Sequence, residues 1–304
     1  MKKAATIGIL ASFFFAFTFL LNRSMNLGGG YWMWSASLRY LFTLPLLCLV
    51  LILKRGKCLQ PVFSEIGSHP GTWLLWSTVG FGLFYLPLTF ASVFGESWLV
   101  AATWQVTIVA GVLLTPLFGK KIPVKNLLMS CLILIGIFLL QLQGHSGASD
   151  VKSNFPALIP IAIAAFSYPL GNRKMMTACP KTLDTFQRVF GMTFCSMPFW
   201  LVVSAVAFVK SGIPDGGQVL QSFGVALFSG VIATLLFFYA TDLVKTNPKQ
   251  LAVVEATQSG EVIFTLLGGI LVLGDRLPNL IGLFGIALIV TGMILSSLIA
   301  GSEN

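Results

Sequence analysis

Charge is scarce in this chain of 304 residues. Its 19 Lys and Arg and 10 Asp and Glu make up 10% of the sequence, where a soluble globular domain carries roughly 25%. Long polar segments are also missing, so nothing is set aside to fold as a separate soluble domain. Histidine is rarer still. His69 and His145 both fall between apolar runs, and with no HExxH and no His/Asp/Glu cluster the sequence calls for neither a metal nor another cofactor. The five cysteines (Cys48, Cys58, Cys131, Cys179, Cys195) are odd in number and lack CxxC spacing, and three sit inside apolar runs. That pattern suggests neither a disulfide framework nor a zinc site. There is no Walker-type glycine loop and so no sign of ATP drive; Gly28-Gly29-Gly30 fits a tight turn instead. The net charge is +9, but the basic residues are scattered over short loops and form no patch for nucleic acid.

What the chain has in abundance is apolar sequence: 56% hydrophobic residues and a mean hydropathy of +0.89. Ten apolar runs of about membrane length follow one another at 5–22, 31–53, 72–94, 97–118, 124–142, 155–172, 183–209, 218–241, 250–273 and 278–299. The expected fold is therefore an all-α integral membrane protein with ten transmembrane helices. The first run, behind Lys2-Lys3, has the make-up of a signal peptide but no convincing small-x-small cleavage site, and it is read as a helix that stays. Pro198 should kink the seventh helix. Asp184, at the start of that helix, has the place of an N-cap.

Loop charge sets an orientation. With the N-terminus inside, thirteen Lys and Arg fall in cytoplasmic segments and four outside, and Arg39 and Arg188 lie within helices. The positive-inside rule then puts both termini in the cytoplasm. The two halves also repeat. LLNRSM (20–25) matches LGNRKM (170–175), SLRYLF around Arg39 matches FQRVFG around Arg188, and FAS (90–92) matches YAT (239–241), all at offsets of 149–150; GKKIP (119–123) matches GDRLP (274–278) at 155. Five helices per repeat is an odd number, so the halves run in opposite directions. Inverted repeats of this kind are a transporter signature, with the solute held near the midplane. The division expected is 1–142 and 155–304 as the two repeats, joined by an extracytoplasmic linker at 143–154.

On the strength of FLLNRSMNLGGGYWMWSASLRYLFTLP and GDRLPNLIGLFGIALIVTGMIL, the chain resembles the drug/metabolite transporter superfamily, in its ten-helix EamA-like type and its multidrug-resistance efflux branch. The resemblance covers nearly the whole chain. It implies a 5+5 inverted topology, a central cavity lined from both halves, and the fifth and tenth helices at the periphery. It says little about the solute, because members carry amino acids, nucleosides, sugars and drugs. The acidic residue usual in the proline turn is Asp275 here and Lys120 in the first half; a topological rather than chemical role is expected of that turn.

The ninth run carries the unusual chemistry. Glu255, Gln258 and Glu261 lie within a stretch otherwise apolar from Leu251 to Leu273. At ~100° per residue the two acids are ~120° apart, with Gln258 between them. A carboxylate at membrane depth costs several kcal/mol unless it faces water, a partner or a solute, and a carboxyl group in low dielectric holds its proton more tightly than one in water. Glu261, near mid-helix and matched by Val106 in the first half, is the expected proton and solute site. Glu255 is a second candidate, or the ion-pair partner of Arg188. Arg39 and Arg188 are read as structural charges, with Glu96 a partner for Arg39. Thr103, Trp104 and Gln105 in the fourth helix, with Tyr40 and Tyr168, are expected to join Glu261, Glu255 and Gln258 in the cavity, whereas Tyr31, Trp32, Trp34 and Trp98 suit interfacial anchors.

The function expected is secondary-active export rather than enzyme catalysis, in the lipid bilayer of a bacterial inner or plasma membrane. The solute would be a small molecule, a hydrophobic cation or amine, with protons as coupling ion. A metabolite exporter for amino acids or nucleobases, recognised by Gln258, Thr103 and Gln105, is the alternative. A membrane-embedded lipid-modifying enzyme would need a catalytic cluster at one surface, which the loops do not offer. Assembly as a homodimer stays open.

Overall fold

The structure is a computed structural model that describes residues 2–55, 59–119, 121–142, 155–180, 182–244 and 247–303, and its regular elements are all helical. The linker expected at 143–154 lies outside the described residues. Apolar runs of this length leave the backbone one way to satisfy its polar groups away from water, by bonding within the segment. In chain order the helices are α1 (Lys2–Leu27), α2 (Trp32–Arg55), α3 (Leu59–Ser68), α4 (Pro70–Ala91), α5 (Ser97–Leu113), α6 (Val124–Leu142) and α7 (Phe155–Ala178). They continue as α8 (Thr185–Ser211), α9 (Gly216–Thr241), α10 (Val253–Leu273) and α11 (Leu280–Glu303). The turns of α10 begin earlier, at Pro248. Eight of the eleven, all but α3, α5 and α7, are long and apolar enough to cross a membrane. α5 has only 17 residues, roughly 25 Å of helix. α7 has 24, but Asn172, Arg173 and Lys174 make its last turns polar.

α3 occupies what reads in the sequence as a loop. Its ten residues include Pro61 and Gly67, too short and too broken for a hydropathy signal. What holds it is packing: Val62 is fully buried, and the Phe63 ring meets Phe190 and Phe194 of α8 edge-on at 6.1 and 5.2 Å.

Helix starts are fixed by short polar side chains. Asp184 makes a capping box with Gln187 at α8. Asp215 accepts from the Gln218 amide at α9, and Asn279 from the Gly282 amide at α11. Each satisfies an amide that the helix leaves unpaired. α8 breaks at Ser196, two residues before Pro198, whose ring clashes with the carbonyl four residues back.

Irregular turns recur at the offsets of the sequence repeat. Widened π-helical turns occupy Thr78–Gly82 in α4 and Ala226–Ala233 in α9, equivalent at 149. α5 is interrupted at Gln105, and α10 by a 3-10 turn at Thr257–Ser259, adjacent at 155. Gly119 and Gly274, also 155 apart, both turn the chain at positive φ, 72° and 68°, where a side chain would be strained.

The bundle has two distinct ends. At the near end, Lys3 of α1 lies over the Tyr239 ring of α9, Gly8 of α1 meets Thr257 of α10, and Asn126 of α6 bonds Ser296 of α11. The far end carries the turns at 28–31, 92–96, 212–215 and 274–279. α6 and α11 pack on one another through Gly136 and Gly285, each of which leaves no room for a Cβ against the other's carbonyl. Small residues let two helix backbones approach in this way. The outer face of α6 is exposed at Leu128, Ile135 and Phe138.

Candidate functional site

A cavity of about 440 Å³ lies at the centre of the bundle, within the range of small-molecule sites. Every long helix except α6 contributes to its described wall, so both halves build it. The apolar side is aromatic. Phe84 of α4 lies 5.1 Å from the Trp104 ring of α5 and 4.8 Å from Tyr168 of α7. Tyr40 of α2 stacks on Trp200 of α8 at 4.5 Å.

The charged groups face this cavity from two helices. α10 supplies Glu255, Gln258 and Glu261. The 3-10 turn at Thr257–Ser259 lies between the two acids, and its tighter winding, 3.0 residues per turn, brings them to roughly 60° apart instead of ~120°. Both therefore face one space. Gln105, the Arg39 guanidinium and Tyr168 are polar neighbours of Glu261. Arg39 enters from α2, donates through Nη2 to Ser229 Oγ at 3.2 Å, and lies with its guanidinium carbon 4.0 Å from the Tyr85 ring centre. Ser229 is in turn held by Thr18 at 2.6 Å. Two buried polar atoms of the wall, Arg39 Nη1 and Gln258 Nε2, have no hydrogen-bond partner among the described residues.

The far end is crossed by polar contacts between the halves. Asp275 accepts from the Ser97 amide at 2.9 Å and from its hydroxyl at 2.5 Å, and pairs with Arg23 Nε at 3.6 Å. Trp98 Nε1 donates to the Arg276 carbonyl, Trp34 Nε1 to the Gly212 carbonyl, and Gln218 to Tyr31 and Ser35. Wall residues Phe237, Phe238, Glu255 and Ser297 belong to the near-end halves of α9, α10 and α11. The cavity thus runs from mid-bundle toward the near end.

Of the residues expected at the site, Glu261, Glu255, Gln258, Trp104, Gln105, Tyr40 and Tyr168 meet in this cavity. Thr103 does not. It is buried on another side of α5, where Gln141 of α6 donates to it, because on one helix it points ~200° away from Gln105. The pairing of Arg39 with Glu96 is also corrected: among the described residues no ion pair joins them, Arg39 is in the cavity wall, and Glu96 precedes α5 without capping it. Nor does Arg188 pair with Glu255. Among the described residues no ion pair joins them; Arg188 lies near Cys179, and Glu255 opens onto the cavity. Trp98 is buried inside the bundle at 2% exposure rather than at an interface. Sequence reasoning missed Ser229, Thr43 and Asn172 as wall residues. Only Ser229 has a signal in the sequence, a small polar side chain beside Gly230 in mid-run and far from either helix end.

Residues 2–302 match the family EmrE, described as "Putative multidrug resistance efflux transporter". The chain is 51% identical over 306 residues to the "Uncharacterized protein YjlA" of Bacillus subtilis (strain 168), covering 96% of this chain and 94% of that one. It is 45% identical over 272 residues to the "Uncharacterized 42.1 kDa protein in intracellular alkaline protease 3'region" of Shouchella clausii, covering 86% and 70%. A crystal structure superposes over 100% of this chain and 99% of its own at a TM-score of 0.64 and 15% identity, a likeness of fold alone.

Proposed function

Because the chain belongs to this efflux family, within the drug/metabolite transporter superfamily, we propose that it is a proton-coupled secondary exporter of a small organic solute bearing an amine. Its multi-pass chain would lie in a bacterial plasma membrane as two inverted five-helix repeats, ten crossings in all, with both termini cytoplasmic. The thirteen-to-four distribution of loop Lys and Arg supports that orientation, and the recurrence of irregular turns at the repeat offsets supports the repeat. The near end is then cytoplasmic, and the conformation is open inward with the outside sealed by Asp275 and its partners.

The observation that carries the reading is Glu261 in an aromatic cavity, with no ion pair among the described residues. An ammonium group gains both the carboxylate and the faces of Trp104 and Tyr168. Proton and solute compete for one carboxylate, so solute leaves as a proton enters, and exchange across a gradient follows. Glu261→Gln keeps size and hydrogen bonding but cannot take up and release a proton. In proteoliposomes under an imposed pH gradient it should lose gradient-driven amine transport while staying folded and inserted. Undiminished gradient-driven transport in that variant removes Glu261 as the proton site and makes Glu255 the next to test.

A further inference from the structure

Arg39 is the feature of the cavity that an amine alone leaves unexplained. It is 9% exposed, and a guanidinium does not give up its proton inside a protein. It has five N–H donors; Ser229 Oγ accepts from Nη2, the Tyr85 hydroxyl lies beside the guanidinium, and Nη1 has no partner among the described residues. Burial of a charge without a counter-charge is costly. Glu261 faces the same cavity but makes no ion pair with it among the described residues. The Tyr85 ring at 4.0 Å and Tyr40 at 5.8 Å hold the guanidinium in place. A fixed planar fork with a free donor is the arrangement that recognises a carboxylate.

We infer that Arg39 binds the solute, and that the solute carries a carboxylate as well as an amine: a zwitterion with an apolar or aromatic body, its carboxylate on Arg39 and its ammonium on Glu261. This rests on the export reading above and narrows it. Arg39 Nη1 lacks an acceptor and Glu261 an ion-pair partner among the described residues, and Phe84, Trp104 and Tyr168 offer the body of such a molecule an aromatic surface in the same cavity.

Three probes that share a ring decide it: phenylalanine, phenethylamine and phenylacetate, titrated against the full-length protein in lipid nanodiscs. Phenylalanine should bind about tenfold or more tighter than either of the others, since each of them leaves one buried charge unmet. Arg39→Gln should bring phenylalanine down to the level of phenethylamine, and Arg39→Lys should restore part of the difference, as a point charge without the fork. The wild-type comparison stands even if a variant fails to fold. Phenethylamine bound as tightly as phenylalanine, and exported under a pH gradient, overturns the inference and leaves the amine exporter intact. Binding of none of the three overturns both. Phenylacetate bound as tightly as phenylalanine, or displaced equally by chloride, reduces Arg39 to a general anion site and overturns the zwitterion.

Discussion

At the scale of the residue, the membrane interior makes each charge answer for itself, and here the answers differ. Arg23 and Asp275 answer to each other, Arg39 to Ser229 and two tyrosine faces, and Glu255 to the cavity. Arg188 and Glu255 sit at similar depths in the sequence, but among the described residues no ion pair joins them. Their neutralisations should therefore act independently. In a double-mutant cycle of Arg188→Gln and Glu255→Gln, thermal unfolding in detergent should give effects that add to within about 0.5 kcal/mol. A coupling of roughly 3 kcal/mol, the size expected of a buried pair losing one member, would restore the pair and take Glu255 out of the cavity's chemistry. The same accounting could have flagged Arg39 from the sequence. Its own half has acids only between the apolar runs, at Glu65 and Glu96, so a mid-helix arginine there already asks for a partner from the other half or from a solute.

At the scale of the element, one side chain from the second half, Asp275, joins two first-half helices at the far end. Asp275 caps α5 through the Ser97 amide while meeting Arg23 of α1. The turn at Gly274-Asp275 is topological, as its sequence suggests, but its carboxylate also ties three elements together. Lys120 stands at the equivalent place in the first half, so the repeat supplies no matching acid for the near end. Asp275→Ala should lower stability by about 1–3 kcal/mol, the loss of a cap and of a pair that is buried on one side only. Asp275→Asn, which keeps an acceptor for the Ser97 amide, should lose less. With Thr43→Cys as a reporter in the cavity wall, an impermeant thiol reagent applied at the far end should reach it faster in Asp275→Ala. Equal rates and equal stability in both variants would deny Asp275 any part in closing that end.

At the scale of the whole molecule, orientation in the membrane is the statement most open to direct test. In a variant with the native cysteines replaced, Ile213→Cys at the far end and Ser68→Cys at the near end are both on the surface. A reagent confined to the outside of intact cells should label the first and spare the second, because the proposed orientation, drawn from thirteen loop cations, puts the near end in the cytoplasm. Labelling of both from one side would sink the inverted arrangement of the halves. Reversed labelling would keep the arrangement and turn the cavity toward the outside.

The sequence by itself determined the helical fold, the internal matches at offsets of 149–155, the polar face of α10 and the glycine turns at Gly119 and Gly274. Each of these is set by local chemistry: apolar length, backbone angles, or a carboxylate where lipid would reject it. It also marked seven of the residues that meet in the cavity. Only the tertiary structure decided how they face. The 3-10 turn at Thr257–Ser259 changes the winding of α10 in mid-helix, so angles counted along an ideal helix spread the acids too far apart, and Thr103, two residues from Gln105, faces α6 instead of the cavity. The partners of Arg39 and Asp275 lie 190 and 178 residues away in the chain, and α3 exists because Val62 and Phe63 find α8 to pack on. Contacts at that range come from closing the bundle, and no spacing in the sequence records them.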